Sequence, residues 1–254
     1  MKIISHTLVA TALLLLCQNS EATVVLYDDF GGLSSSTLNG TSPDTGTGTW
    51  TAASTIMANG SMAAGSASAW LPYTFGSGTY EVKLDINTTY SNSTAFLVVS
   101  FINSNTPWGT GQFNTVTGTY STFGLRRNLE ADFWAGTGNA GNVVMGSLSS
   151  GTSLIGTLRL VLNTTGTNWT VDTYYTPSGG SEITFDMNGA SAGTTYTYAT
   201  NPSTFKGVGF SSNTGSAGSV DNFTLSPVPE PSTAALLLLG GASALCIALR
   251  RRLA

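Results

Sequence analysis

The chain has 254 residues, nine Lys or Arg against thirteen Asp or Glu, and a formal net charge of −4. Its single histidine, His6, and its two cysteines, Cys17 and Cys246, lie close to the two ends. Residues 23–226 therefore lack the side chains for a Ser-His-Asp triad, a Cys-His pair, a typical zinc site or a disulfide. In that body five bases (Lys83, Arg126, Arg127, Arg159, Lys206) face eleven acids, a net of −6, which argues against a nucleic-acid partner.

Read in order, the chain opens with Lys2, an apolar run over 8–16 and the small-x-small triplet Ser20-Glu21-Ala22. This pattern predicts a secretory signal peptide over 1–22, with its short signal helix, cut after Ala22. Cys17 follows Leu16, where a lipoprotein signal needs a small side chain.

The body, 23–226, is dense in Gly, Ser, Thr and Asn, and no stretch holds the apolar period of a helix for three turns. Alternation appears instead. Over 80–87, Tyr80, Val82, Leu84 and Ile86 share one face while Glu81, Lys83, Asp85 and Asn87 share the other. Residues 94–102 are nearly all apolar and predict a central strand covered on both sides. Residues 156–163 and 168–175, joined by Thr164-Thr165-Gly166-Thr167, predict a hairpin. Shorter strands are predicted over 24–29, 69–73, 130–135, 183–185, 206–211 and 220–225. Many short strands with glycine-rich links predict an all-β fold, an antiparallel β-sandwich.

After the body, Pro229-Glu230-Pro231 ends the last strand, because proline has no N–H to donate to a sheet. No charge occurs from Ala234 to Leu249, and Arg250, Arg251 and Arg252 follow. At about 1.5 Å per residue the apolar helix falls just short of a full hydrocarbon core of about 30 Å. Three arginines beside it act as a stop. This order of parts resembles the PEP-CTERM sorting signal of exported bacterial proteins, here covering 227–254. The resemblance implies an exosortase-type processing enzyme as partner and a membrane-inserted precursor. It also implies release or attachment at the surface or extracellular matrix of a Gram-negative-type bacterium that makes extracellular polysaccharide. The body resembles the concanavalin A-like jelly-roll domains that precede such signals. The resemblance rests on Tyr27-Asp28-Asp29-Phe30, Leu38-Asn39-Gly40 with Thr49-Trp50-Thr51-Ala52, and Val220-Asp221-Asn222-Phe223. It implies that the first and last strands pair.

Three constellations invite chemistry. Glu130-Ala131-Asp132-Phe133-Trp134-Ala135 resembles the Glu-x-Asp-x-x-Glu strand of jelly-roll glycosidases of the laminarinase type, but the third acid is replaced by Ala135. Retaining hydrolysis needs two carboxyl groups about 5–5.5 Å apart. Without the proton donor no catalytic residue is assigned. Period-two geometry puts Glu130, Asp132 and Trp134 on one face, a set suited to contacting a sugar without cleaving it. Gly136-Thr137-Gly138-Asn139-Ala140-Gly141 matches a dinucleotide fingerprint by spacing, yet no amphipathic helix follows. Asp28, Asp29 and Asp221 could meet at paired terminal strands and hold calcium, which takes 6–8 oxygen ligands; solvated turn residues are the other reading. Three functions follow. One is a non-catalytic exported protein that binds polysaccharide, another a jelly-roll glycosidase, the third a membrane-retained structural surface protein.

Overall fold

The computed structural model describes residues 23–63, 65–90, 95–102, 120–126, 130–135, 138–144, 153–187, 193–202, 205–213 and 216–229. The predicted signal peptide and the segment from Glu230 through Arg250, Arg251 and Arg252 lie outside the described residues. The body Val24–Pro227 is one compact unit. Among the described residues no helix is long and apolar enough to cross a membrane.

The body consists of two antiparallel sheets. The first is ordered β1 (Leu26–Asp28), β15 (Ser216–Pro227), β5 (Thr79–Tyr90), β10 (Ser153–Asn163), β11 (Thr170–Pro177) and β12 (Ile183–Phe185). Two short strands join it off this path, β3 (Ser61–Met62) on β15 and β13 (Tyr196–Thr197) on β11. The second runs β2 (Thr51–Ala52), β4 (Ala67–Pro72), β14 (Gly207–Ser212), β6 (Phe96–Ile102), β7 (Tyr120–Arg126), β8 (Glu130–Ala135) and β9 (Gly138–Val144).

The expected pairing of first and last strands is present, with Leu26 opposite Leu225 and Asp28 opposite Phe223. The expected hairpin is β10–β11. The predicted 24–29, 69–73, 206–211 and 220–225 correspond to β1, β4, β14 and β15, and 130–135 and 183–185 match β8 and β12. Strands β2, β3, β7, β9 and β13 were not predicted. Residues 138–141 belong to β9, a strand, so no helix opens where the dinucleotide fingerprint needs one.

Alternation decides what each sheet buries. In β5, Tyr80, Val82, Leu84 and Ile86 enter a core shared by the two sheets, along with Leu158, Leu160 and Leu162 of β10. Facing them from the second sheet are Leu97, Val99, Phe101, Phe123, Leu125, Phe133, Val208 and Phe210. The outer face of the first sheet is polar. There Arg159 donates to Glu182 at 2.8 Å and to Glu81 at 3.0 Å, with its guanidinium 3.6 Å from the Tyr174 ring centroid. The second sheet is different: β6 is buried at all seven positions, on both faces.

Candidate functional site

The candidate site is the outer face of the second sheet, and cross-strand register builds it. One row runs Trp70, Gly209, Ser100, Thr122, Trp134 across β4, β14, β6, β7 and β8. The next runs Ser68, Ser211, Val98, Gly124, Asp132. Small side chains thus form a strip between two indoles four strand spacings apart, about 19 Å at about 4.8 Å per spacing. Flatness has a steric cause at Gly124, where an added Cβ would sit 2.3 Å from both Leu97 O and Val98 Cγ1.

Asp132 and Trp134 share this face, as period two requires, while Ala131 and Phe133 enter the main core. Glu130 begins the same strand, in register with Val144 of β9. Sequence reading missed the partner of Asp132. Arg126 Nε donates to Asp132 Oδ2, and the guanidinium carbon stands 5.8 Å from the Trp134 ring centroid. The signal was present only as β7, a strand without alternation. Trp134 packs on Phe96 with ring centroids 6.0 Å apart, in a second apolar cluster with Val98 and Ile102.

Burial limits what these residues offer to a ligand. Asp132 is 0% and Trp134 5% exposed, so this face is a packed layer in which the acid is neutralised by Arg126. Beside them Ser100 and Thr122 share a hydrogen bond of 2.6 Å. Among the described residues, Trp70 Nε1 and Ser211 Oγ on this face are buried with no hydrogen-bond partner. Ala135 packs against the main core, the side opposite Asp132, so the position of the missing third acid points away from this face.

The predicted calcium acids are rearranged. Asp28 and Asp29 cluster with Asp44, their ligand atoms within 4.8 Å of one another, and Asp221 is not in the group. The cause is register. Phe223 stands opposite Asp28, a bulge interrupts β15 between Asp221 and Thr224, and Asp221 pairs with Asp85. Asp44 arrives because Thr45 bridges Tyr27. These acids already have donors. Asp28 accepts from Trp50 Nε1 at 2.6 Å and Phe30 N at 2.7 Å, Asp29 from Gly31 N at 2.8 Å, and Asp44 from Asp29 N at 2.9 Å. Burial pushes the Asp28 carboxyl above its ordinary range, against the lowering effect of the Trp50 and Phe30 hydrogen bonds. Hydrogen bonding accounts for the cluster, which is a poor fit to a cation needing 6–8 free oxygens.

The architecture is that of an all-β antiparallel sandwich with lectin-like structural neighbours. It is similar to a lectin from Bauhinia forficata in complex with GalNAc, at 10% identity and TM-score 0.48, over 82% of this chain and 100% of that one. It is also similar to the metal-free lectin I-B4 from Griffonia simplicifolia, at 10% identity and TM-score 0.46, over 65% of this chain and 82% of that one. The metal-free carbohydrate recognition domain of Emp46p matches at 13% identity and TM-score 0.44, over 69% and 87%. No curated protein matches the chain. At the C-terminus the chain carries a PEP-CTERM protein-sorting motif, matched over residues 227–252.

Proposed function

We propose that this is an exported, non-catalytic protein of the bacterial cell surface or extracellular matrix whose β-sandwich binds extracellular polysaccharide. The sorting motif over 227–252 is the observation that carries the export. An exosortase-type enzyme is the processing partner, acting on a precursor held in the membrane by its C-terminal helix. Replacing Arg250, Arg251 and Arg252 by serine removes a cost of about 2.5–3.5 kcal/mol per arginine at a helix centre. Uncut precursor should then slip through the membrane and accumulate outside on immunoblots. Unchanged processing of that variant would count against the stop.

The non-catalytic reading is supported by the absence of His and Cys from the body, by Ala135 on the core side, and by the Arg126–Asp132 pair. Polysaccharide binding is supported by the half-buried Trp70 at one end of the strip, which keeps part of its surface open. Of the residues proposed for contact on β8, Glu130, Asp132 and Trp134, the last two are 0% and 5% exposed, so contact there requires the layer over β8 to open. Trp134→Ala tests them against their packing role. Lost binding to the producer's own polysaccharide at unchanged stability supports contact. Lost stability with binding retained assigns Trp134 to packing alone.

A further inference from the structure

A cleft lies at one end of the sandwich, away from the strip. Tyr73 N–H donates to Lys206 O at 2.8 Å, and Lys206 N–H donates to Ile102 O at 2.7 Å, so the sheet pairing continues one step past Pro72 and Gly207. Tyr73 is half-buried and packs against the main core, Phe205 is buried in it, and Lys206 between Phe205 and Gly207 is exposed. Tyr73 and Lys206 stand side by side at the mouth of this cleft. Among the described residues, Thr47, Gly48, Pro72, Thr74 and Phe205 line the same cavity, of about 740 Å³. That lies within the roughly 300–1,000 Å³ range of small-ligand pockets. Phe205 also lines an adjoining cavity of about 220 Å³ with Phe75 and Trp169.

The wall is aromatic and stiff. Tyr73 and Phe75 meet edge-to-face with centroids 4.7 Å apart, as do Phe75 and Tyr80 at 5.0 Å, and Trp169 and Phe205 meet at a tilt with centroids 5.8 Å apart. Backbone and side-chain bonds hold the loops that carry them. Gly78 N donates to Thr164 Oγ1 at 3.0 Å, and Trp169 N to Asn201 Oδ1 at 2.7 Å. Tyr73, Phe75 and Trp169 are half-buried, each keeping some ring surface open.

Charge selects the occupant. Among the described basic side chains of this acidic body, Lys83, Arg126 and Arg159 each hold a carboxylate, and Lys206 holds none. Lys206 is exposed and lines the cleft beside Tyr73. We infer that this cleft binds a uronate-bearing segment of polysaccharide. The pyranose C–H face lies on Tyr73, its hydroxyls meet Thr47 and Thr74, and its carboxylate meets the Lys206 ammonium. The inference rests on the reading of the body as polysaccharide-binding, and it adds a location and a charge class.

The test is calorimetric titration of the full chain in detergent micelles with two probes, an octamer of mannuronate and an octamer of a neutral β-glucan. Wild type should bind the uronate more tightly. Lys206→Gln, a change at an exposed side chain, should weaken uronate binding roughly tenfold and leave the glucan unaffected. Tyr73→Ala should weaken both probes. Wild-type binding that neither variant alters would overturn the cleft while leaving a polysaccharide-binding body intact. Equal affinity of wild type for both probes would overturn the charge class. No binding of either probe by wild type would overturn the underlying reading together with the cleft.

Discussion

Asp28 shows how much one buried carboxylate can organise. It accepts from the Trp50 indole at 2.6 Å, and Trp50 packs against Phe223, Phe210 and Phe30 with centroids 5.2, 5.7 and 5.9 Å apart. Its other oxygen accepts from the N–H of Phe30, which is held at φ +50°, a left-handed conformation uncommon for a bulky residue. Asp28→Ala leaves a buried indole N–H without an acceptor, and a loss of at least about 2 kcal/mol is expected in urea unfolding. A pH dependence follows from the upward shift that burial imposes. The folded protein holds the Asp28 proton more tightly than the unfolded chain does. Stability from this group is therefore full below the ordinary aspartate range and is lost as pH rises through the raised folded value. The stability difference between wild type and Asp28→Asn should narrow or change in the direction of wild-type loss over that interval. A wild-type advantage that grows with rising pH there would refute the assignment.

At the scale of elements, β7 is fitted to its two neighbours, β6 and β8, by two devices. Gly124 lets β6 and β7 approach where any Cβ would collide with Leu97 O and Val98. Gly124→Val forces overpacking or a strand shift, with an expected cost of about 1–3 kcal/mol by thermal or urea melts. Arg126 neutralises Asp132, which is 0% exposed. Arg126→Met strands a buried charge and should cost about 3 kcal/mol. Replacing the pair together, Arg126→Met with Asp132→Leu, should recover much of that loss, because no unpaired charge is left behind. A double variant as unstable as the single one would show that the pair serves something other than mutual neutralisation. The outer network of the first sheet, Arg159 with Glu81 and Glu182, is partly exposed and should matter less.

The body must hold together without a disulfide, since the chain's cysteines, Cys17 and Cys246, lie outside it. Two sheets bury a continuous core between them, and β15 ties the start of the body to its end by pairing with β1. Residues 23–226 should accordingly give a strand-dominated far-UV circular dichroism spectrum. The melting temperature should be the same with and without reducing agent. Helix content above about one third, the usual share in globular proteins, would contradict the fold.

The sequence by itself determined the elements whose two faces differ chemically. β5 and β10 alternate Val, Leu or Tyr against Glu, Lys and Arg because one side meets the core and the other water. The sorting motif was legible for the same kind of reason, since proline, an apolar run and arginine each act locally. β7 was not legible: Tyr120–Arg126 sits in a sheet buried on both faces, and Thr122 and Gly124 on its outer face erase the alternation. Only tertiary structure could pair Arg126 with Asp132, replace Asp221 by Asp44 beside Asp28, or bury Trp134. Each of these depends on register between strands distant in sequence, and period two says which side a residue faces but not what lies opposite. The mouth lined by Tyr73 and Lys206 is of this second kind, since residues 73 and 206 meet only because β4 and β14 are neighbours.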